Sequence, residues 1–221
     1  MIPLWDATRR PVDFPVMTLL IIVANVIAFA CELAGGDAFV TRWSVVPADI
    51  VAGHHWETII TSMFMHGGWA HIIGNMIFLW AFGPEIEDVM GPWRYLAFYL
   101  IGGVVAMTAQ IVAMPGSTVP TLGASGAIAA VMGAFLVTYP RDKIRTALFL
   151  GFFVTMTFIP AAVLIGIWFV LQLFSVGVGA ITHTASADGV AYLAHVGGAI
   201  FGAITVRLFE VPQRVAERAA T

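Results

Sequence analysis

The stretch LGASGAIAAVMGAFLVTY, residues 122–139, carries no charged side chain and places one serine, Ser125, close to its start. A helix needs about 20 apolar residues to cross about 30 Å of hydrocarbon, so this run reads as a membrane crossing. Gly126, Ala129, Ala130 and Gly133 give it a stripe of small residues, the pattern of a helix that approaches a neighbour's backbone. Outward from it, further apolar stretches lie near 14–34, 66–83, 95–114, 147–181 and 190–209. The stretch 147–181 is too long for one crossing and contains Pro160. It divides into an apolar segment, Ile144–Phe158, lying along the interface or dipping into it, and a crossing helix over 160–178. The expectation is one domain over residues 1–221: an all-α membrane protein built as a six-helix bundle.

Composition leads to the same class. Of 221 residues, 60% are hydrophobic and 10% charged, with a mean hydropathy of +0.92. Soluble domains average about 45–50% and about 25%. A net charge of −3 with few basic residues excludes a nucleic-acid partner, and Cys31 has no second cysteine to pair with. With the N-terminus cytoplasmic, Arg9, Arg10, Arg94, Arg141, Lys143, Arg145, Arg207, Arg214 and Arg218 all fall inside and Arg42 alone outside, so both termini are cytoplasmic. Arg9-Arg10, the apolar run and Ala28-Phe29-Ala30 imitate a secretory signal, but the run exceeds a usual signal core and Pro15 suits a helix start. The loop after the first span holds Trp43, Val45, Val46, Pro47, Ile50 and Trp56 and should rest in the interface. Two short outer loops follow near 115–121 and 182–189, and Glu85, Glu87 and Asp88 form a solvated cytoplasmic turn. The compact chain without a targeting extension favours a bacterial inner membrane over an organelle.

Polar side chains inside spans are costly and mark functional sites. His66, His71 and Asn75 enter the second span, Ser125 the fourth and His195 the sixth. Even-numbered spans start at the outer face, and about 1.5 Å of rise per residue puts all these groups at one depth. His71 and Asn75, four apart, share a helix face and can point at one small group. Ser125 follows Pro120 at a helix start, where unpaired backbone N–H groups and the positive end of the dipole suit a developing oxyanion. Ala194, Gly198 and Gly202 make a second small stripe; packed on the first, it brings Ser125 and His195 within hydrogen-bond reach, as nucleophile and base. Each feature alone has a plainer reading: a packing seam for the serine, a helix-helix hydrogen bond for His195, an ion or polar clamp for His71 with Asn75. Gln110 and Gln172 read as helix cross-links.

In that order, the histidines and asparagine of 66–75, Gly123-Ala124-Ser125-Gly126 and Ala194-His195-Val196-Gly197-Gly198 resemble the rhomboid intramembrane serine proteases, as do Gly83 and Glu87. The resemblance implies Ser125 as nucleophile and His195 as general base, a catalytic dyad, since no acid stands out as a third member. It implies an oxyanion hole from His71, Asn75 and the Ser125 backbone, with His66 bracing the first outer loop and Gly123 and Gly126 supporting the serine. Phe78 of the second span, facing Trp168 and Phe169 of the fifth, could form a side gate. The implied partners are the lipid bilayer and transmembrane protein substrates; no cofactor or metal is implied, and the oligomeric state is unknown. A catalytically silent relative that binds transmembrane clients is the alternative. Two positions depart from the pattern. Ala129 stands where relatives often stack an aromatic on the histidine, and Glu57 and Thr58 replace a frequent Trp-Arg pair.

Overall fold

The computed structural model describes residues 1–151, 153–182 and 191–219. In chain order the elements are β1 (Ile2–Asp6), α1 (Val16–Trp43), α2 (Pro47–Val51), α3 (Thr58–Thr61), α4 (Trp69–Met90), α5 (Pro92–Ala113), α6 (Ser125–Thr138), β2 (Lys143–Leu150), β3 (Phe153–Pro160), α7 (Ala161–Thr182), α8 (Tyr192–Phe209) and α9 (Pro212–Ala219). By length and composition α1, α5 and α8 can cross a membrane, and two shorter apolar helices, Ser125–Thr138 and Ala161–Leu173, pack among them. From residue 183 on, the loop expected near 182–189 lies outside the described residues.

The chain is mostly helical but not all-α. The expected interfacial segment Ile144–Phe158 is instead a β-hairpin, paired antiparallel from Lys143↔Pro160 to Leu150↔Phe153, and β1 adds to the free side of β2. Gly151, at φ +63, makes the turn, and the Thr, Val, Ile and Phe residues on either side prefer extended backbone. An apolar run of this length does not separate strand from buried helix by periodicity, which is why the sheet was not foreseen. Several boundaries shift as well, among them the end of the second span, which runs to Met90 instead of 83. His66 precedes α4 instead of entering it, and α1 continues to Trp43 past a break at Gly36 (φ 60).

The acidic residues Glu85, Glu87 and Asp88, expected in a solvated turn, lie instead in the last turns of α4 and are buried. The Glu87 carboxylate accepts the N–H groups of Met17 and Thr18 at 2.8 and 2.7 Å and the Thr18 hydroxyl at 2.7 Å. Asp88 accepts the N–H groups of Val12 and Asp13 at 3.2 and 3.1 Å. A helix start leaves N–H groups such as those of Met17 and Thr18 unpaired and favours negative charge, so Glu87 fastens α1, and Asp88 the segment before it, to the end of α4. Thr18 and Tyr95 crowd the face of Gly83, where a methyl group would meet the Tyr95 hydroxyl at 2.7 Å.

At the centre stands α6, packed on α8, α5, α4 and α7. The two small stripes meet here. A methyl group added at Gly133 would run into the carbonyl of Ala199, at Gly198 into that of Gly126, and at Gly202 into that of Ala130. Below this seam, Phe82, Phe98, Phe135, Tyr95 and Tyr99 are fully buried, with Phe82 edge-on to Phe135 at 5.1 Å. Ion pairs Arg9–Asp142, Arg214–Asp13 and Arg207–Glu210 gather at this same end. At the opposite end Val45 and Ile50 of the first long loop are buried against Met107 and Ile111, whereas Trp56 is exposed. Val45 also pairs its backbone with Thr121, which ties the loop to the approach to α6.

Candidate active site

Ser125 is the first residue of α6, and no side chain caps the helix ahead of it. Gly123, two residues before, has φ +135, and a methyl group there would stand 2.9 Å from His71 Nε2. Backbone and ring together restrict the position to glycine. The Gly123 N–H donates to the Ser62 carbonyl at 2.9 Å, which holds the turn in place. Gly126 fits against Ala106, whose Cβ an added methyl would meet at 2.7 Å.

His195 lies in the first turn of α8 and is buried. Its Nε2 stands 2.6 Å from Ser125 Oγ, and its Nδ1 stands 2.7 Å from Gln172 Oε1. Trp168 and Tyr192 flank the imidazole at 5.6 and 6.4 Å between ring centroids. Ala129 leaves the ring without an aromatic from α6, and these two rings, from α7 and α8, border it instead. Gln172 was read only as a cross-link; it does join α7 to α8, and the group it holds is His195. Its sequence signal was a single amide within the apolar run of α7.

His71 and Asn75 stand on α4, four residues apart. The Gly67 N–H donates to His71 Nδ1 at 3.3 Å, so the neutral ring carries its proton on Nε2, the nitrogen beside Gly123. The buried Asn75 amide nitrogen has no acceptor among the described residues. These two side chains, Ser125 and His195 line one cavity of about 600 Å³, together with Phe78 and Trp168. Phe169 is not among its lining residues.

His66 is set apart from this group. Its buried ring lies edge-on to His71 at 5.1 Å, both ring nitrogens lack partners among the described residues, and its backbone N–H donates to Glu32. Glu32, a buried carboxylate of α1, was missed in the sequence because it sits among apolar residues with no motif around it. Among the described residues, no three His, Cys, Asp or Glu side chains are placed to hold a metal ion. A hydroxyl bonded to an imidazole, with unengaged donors across a cavity, is equipment for attack on an acyl carbon.

Residues 53–210 match the rhomboid domain. Over 126 residues, 55% of this chain and 24% of the relative, the sequence is 31% identical to the rhomboid protease GluP of Bacillus subtilis. Over 205 residues it is 30% identical to RHOMBOID-like protein 12, mitochondrial, of Arabidopsis thaliana, covering 85% of this chain and 56% of that one. It is 35% identical over 92 residues to presenilin-associated rhomboid-like protein A, mitochondrial, of Danio rerio, covering 41% and 24%. The chain thus spans between about a quarter and just over half the length of these relatives. The domain match takes in well over half of the residues, from the first long loop to the end of α8, and the chain belongs to the rhomboid family.

Proposed function

We propose that this protein is an intramembrane serine endopeptidase that cuts transmembrane segments of other membrane proteins near the outer face. The observation that carries the reading is the 2.6 Å approach of Ser125 Oγ to His195 Nε2, in a cavity that His71 and Asn75 also line. All six long helices, α1 and α4 to α8, cross the bilayer in this reading. The end bearing Arg9, Arg207 and Arg214 faces the cytoplasm, following the excess of basic residues there.

A substrate segment enters between α4 and α7, past Phe78 and Trp168. An intact helix hides its carbonyls in its own hydrogen bonds, so the segment unwinds beside the cavity, and substrates carry helix-weakening residues near the cut. Ser125 Oγ bonds to the scissile carbonyl carbon as its proton passes to His195 Nε2. The oxyanion accepts hydrogen bonds from His71, Asn75 and the Ser125 backbone N–H. His195 then gives the proton to the leaving amine, and an acyl-enzyme remains. Water entering from the outer side gives up a proton to His195 and attacks the acyl carbon; the bond to Ser125 Oγ breaks, His195 returns the proton to Oγ, and the second product leaves.

The test is labelling by a fluorophosphonate probe in lipid nanodiscs, beside cleavage of a model membrane substrate, for wild type and Ser125→Ala. The endopeptidase reading expects label and cleavage in wild type and neither in the variant. A folded wild type that takes no label and cuts nothing would instead be a silent member that binds transmembrane clients.

A further inference from the structure

The contact between His195 and Gln172 does more than join two helices. A serine is activated only by an imidazole whose facing nitrogen carries a lone pair, so His195 must keep its one proton on Nδ1. Left alone, a neutral imidazole divides between its two tautomers, and a proton on Nε2 would turn the base into a donor toward Ser125. Gln172 presents its amide oxygen to Nδ1 at 2.7 Å, and an oxygen there accepts only from an N–H. We propose that Gln172 is a positioning residue that holds His195 in the base tautomer and stabilises the imidazolium formed when Ser125 gives up its proton.

Two further observations support the assignment. Trp168 and Gln172 lie four apart on α7, one turn of helix, and both reach His195, so α7 holds the ring through a tilted contact with Trp168 and at its Nδ1. Ala129 supplies no aromatic from α6, so orientation of the ring falls to α7 and Tyr192. A carboxylate would do the same work in water. An amide does it without placing a net charge at membrane depth, where an ionised side chain is costly. The step stays balanced: the Ser125 proton moves to Nε2, the Nδ1 proton remains on the ring as a donor to Gln172, and the Nε2 proton later leaves with the amine.

The inference rests on the endopeptidase reading for its catalytic meaning, but its first readout needs no activity. Nitrogen NMR of protein labelled at histidine, compared with His195→Ala to assign the signal, reports which ring nitrogen bears the proton. Wild type is expected to show Nδ1 protonated, and Gln172→Leu, of similar size with no acceptor, to show a mixed or reversed pattern. In turnover, Gln172→Leu should lose about ten- to a hundredfold in kcat, with KM within about twofold, and Gln172→Glu, which keeps an acceptor oxygen, should recover most of it. Protonation of Nε2 in wild type overturns the proposal, and so does a Gln172→Leu protein with wild-type spectrum and kcat. If that variant fails to fold, the wild-type spectrum still decides. Absence of labelling at Ser125 would defeat the endopeptidase reading while leaving the spectral result standing.

Discussion

The carboxylate of Glu32, on α1, receives the backbone N–H of His66 with both oxygens, at 2.9 and 3.1 Å. One residue later, the Gly67 N–H bonds His71 Nδ1 and so directs the His71 proton toward the cavity. The first long helix therefore sets His71, the proposed oxyanion donor, through the loop that leads into α4. Glu32→Ala leaves a buried N–H without an acceptor, at a cost of about 1–3 kcal/mol, whereas Glu32→Gln keeps one oxygen and should lose less. Denaturation midpoints in a fixed detergent, with labelling rates at Ser125, should rank wild type, Gln and Ala in that order. Equal midpoints and rates in all three would remove the role given to Glu32.

The 2.6 Å contact between Ser125 and His195 depends on backbones in touch along α6 and α8. A methyl group at Gly198 meets the Gly126 carbonyl, with only backbone to yield, and should cost about 1–3 kcal/mol as the helices part. Labelling of Ser125 should drop at least about tenfold, since hydrogen bonds weaken steeply with distance and angle. Gly166, on α7, has open space where its methyl would go and serves as the control. Gly166→Ala should be neutral or slightly stabilising by helix propensity. Should the two alanine variants behave alike, close packing of α6 on α8 is not what sets the pair.

These contacts also mark how far the sequence could be read. Ser125, His71, Asn75 and His195 stood out because polar groups in apolar runs are rare, and the glycine stripes indicated which two helices meet. The hairpin of β2 and β3 was hidden because an exposed apolar strand and a buried helix draw on the same apolar alphabet. Glu87 looked like a solvated acid because nothing near it in sequence reveals that the start of α1 needs an acceptor. Gln172 and Glu32 lack any local pattern. Their partners lie 23 and 34 positions away, and only folding supplies the neighbour that gives each a role.

Asn75 offers a buried amide nitrogen with no acceptor among the described residues, as a donor reserved for a transient oxyanion would. Removal of one such donor costs about 10²–10³ in kcat in soluble serine proteases, so Asn75→Ala should turn over slowly, not stop. Asn75→Asp tests the sign of the interaction. A carboxylate there replaces a donor with an acceptor and a negative charge beside the developing one, so its kcat should fall below that of alanine. An aspartate variant faster than the alanine variant would show that Asn75 does not face the oxyanion.

The end of the sheet beside Arg9 and Asp142 offers a prediction about pH. Asp6, on β1, is pushed up to about 6 from 3.8, first by burial and then by the nearby Asp142 carboxylate, against partial relief from the Thr8 and Arg9 N–H groups it accepts. The folded chain binds this proton more tightly than the unfolded one. The stabilisation is therefore complete below about pH 4 and is lost as pH rises through about 6. The Arg9 guanidinium pairs with Asp142 at 2.6 Å. Asp6→Asn keeps an amide oxygen for both N–H groups and carries no charge at any pH. Its denaturation midpoint should exceed that of wild type at pH 7 to 8, and the gap should close as the pH is lowered toward about 4. A gap that stays constant across that range would mean that Asp6 is not ionising against its surroundings, and that β1 is held to β2 by backbone pairing alone.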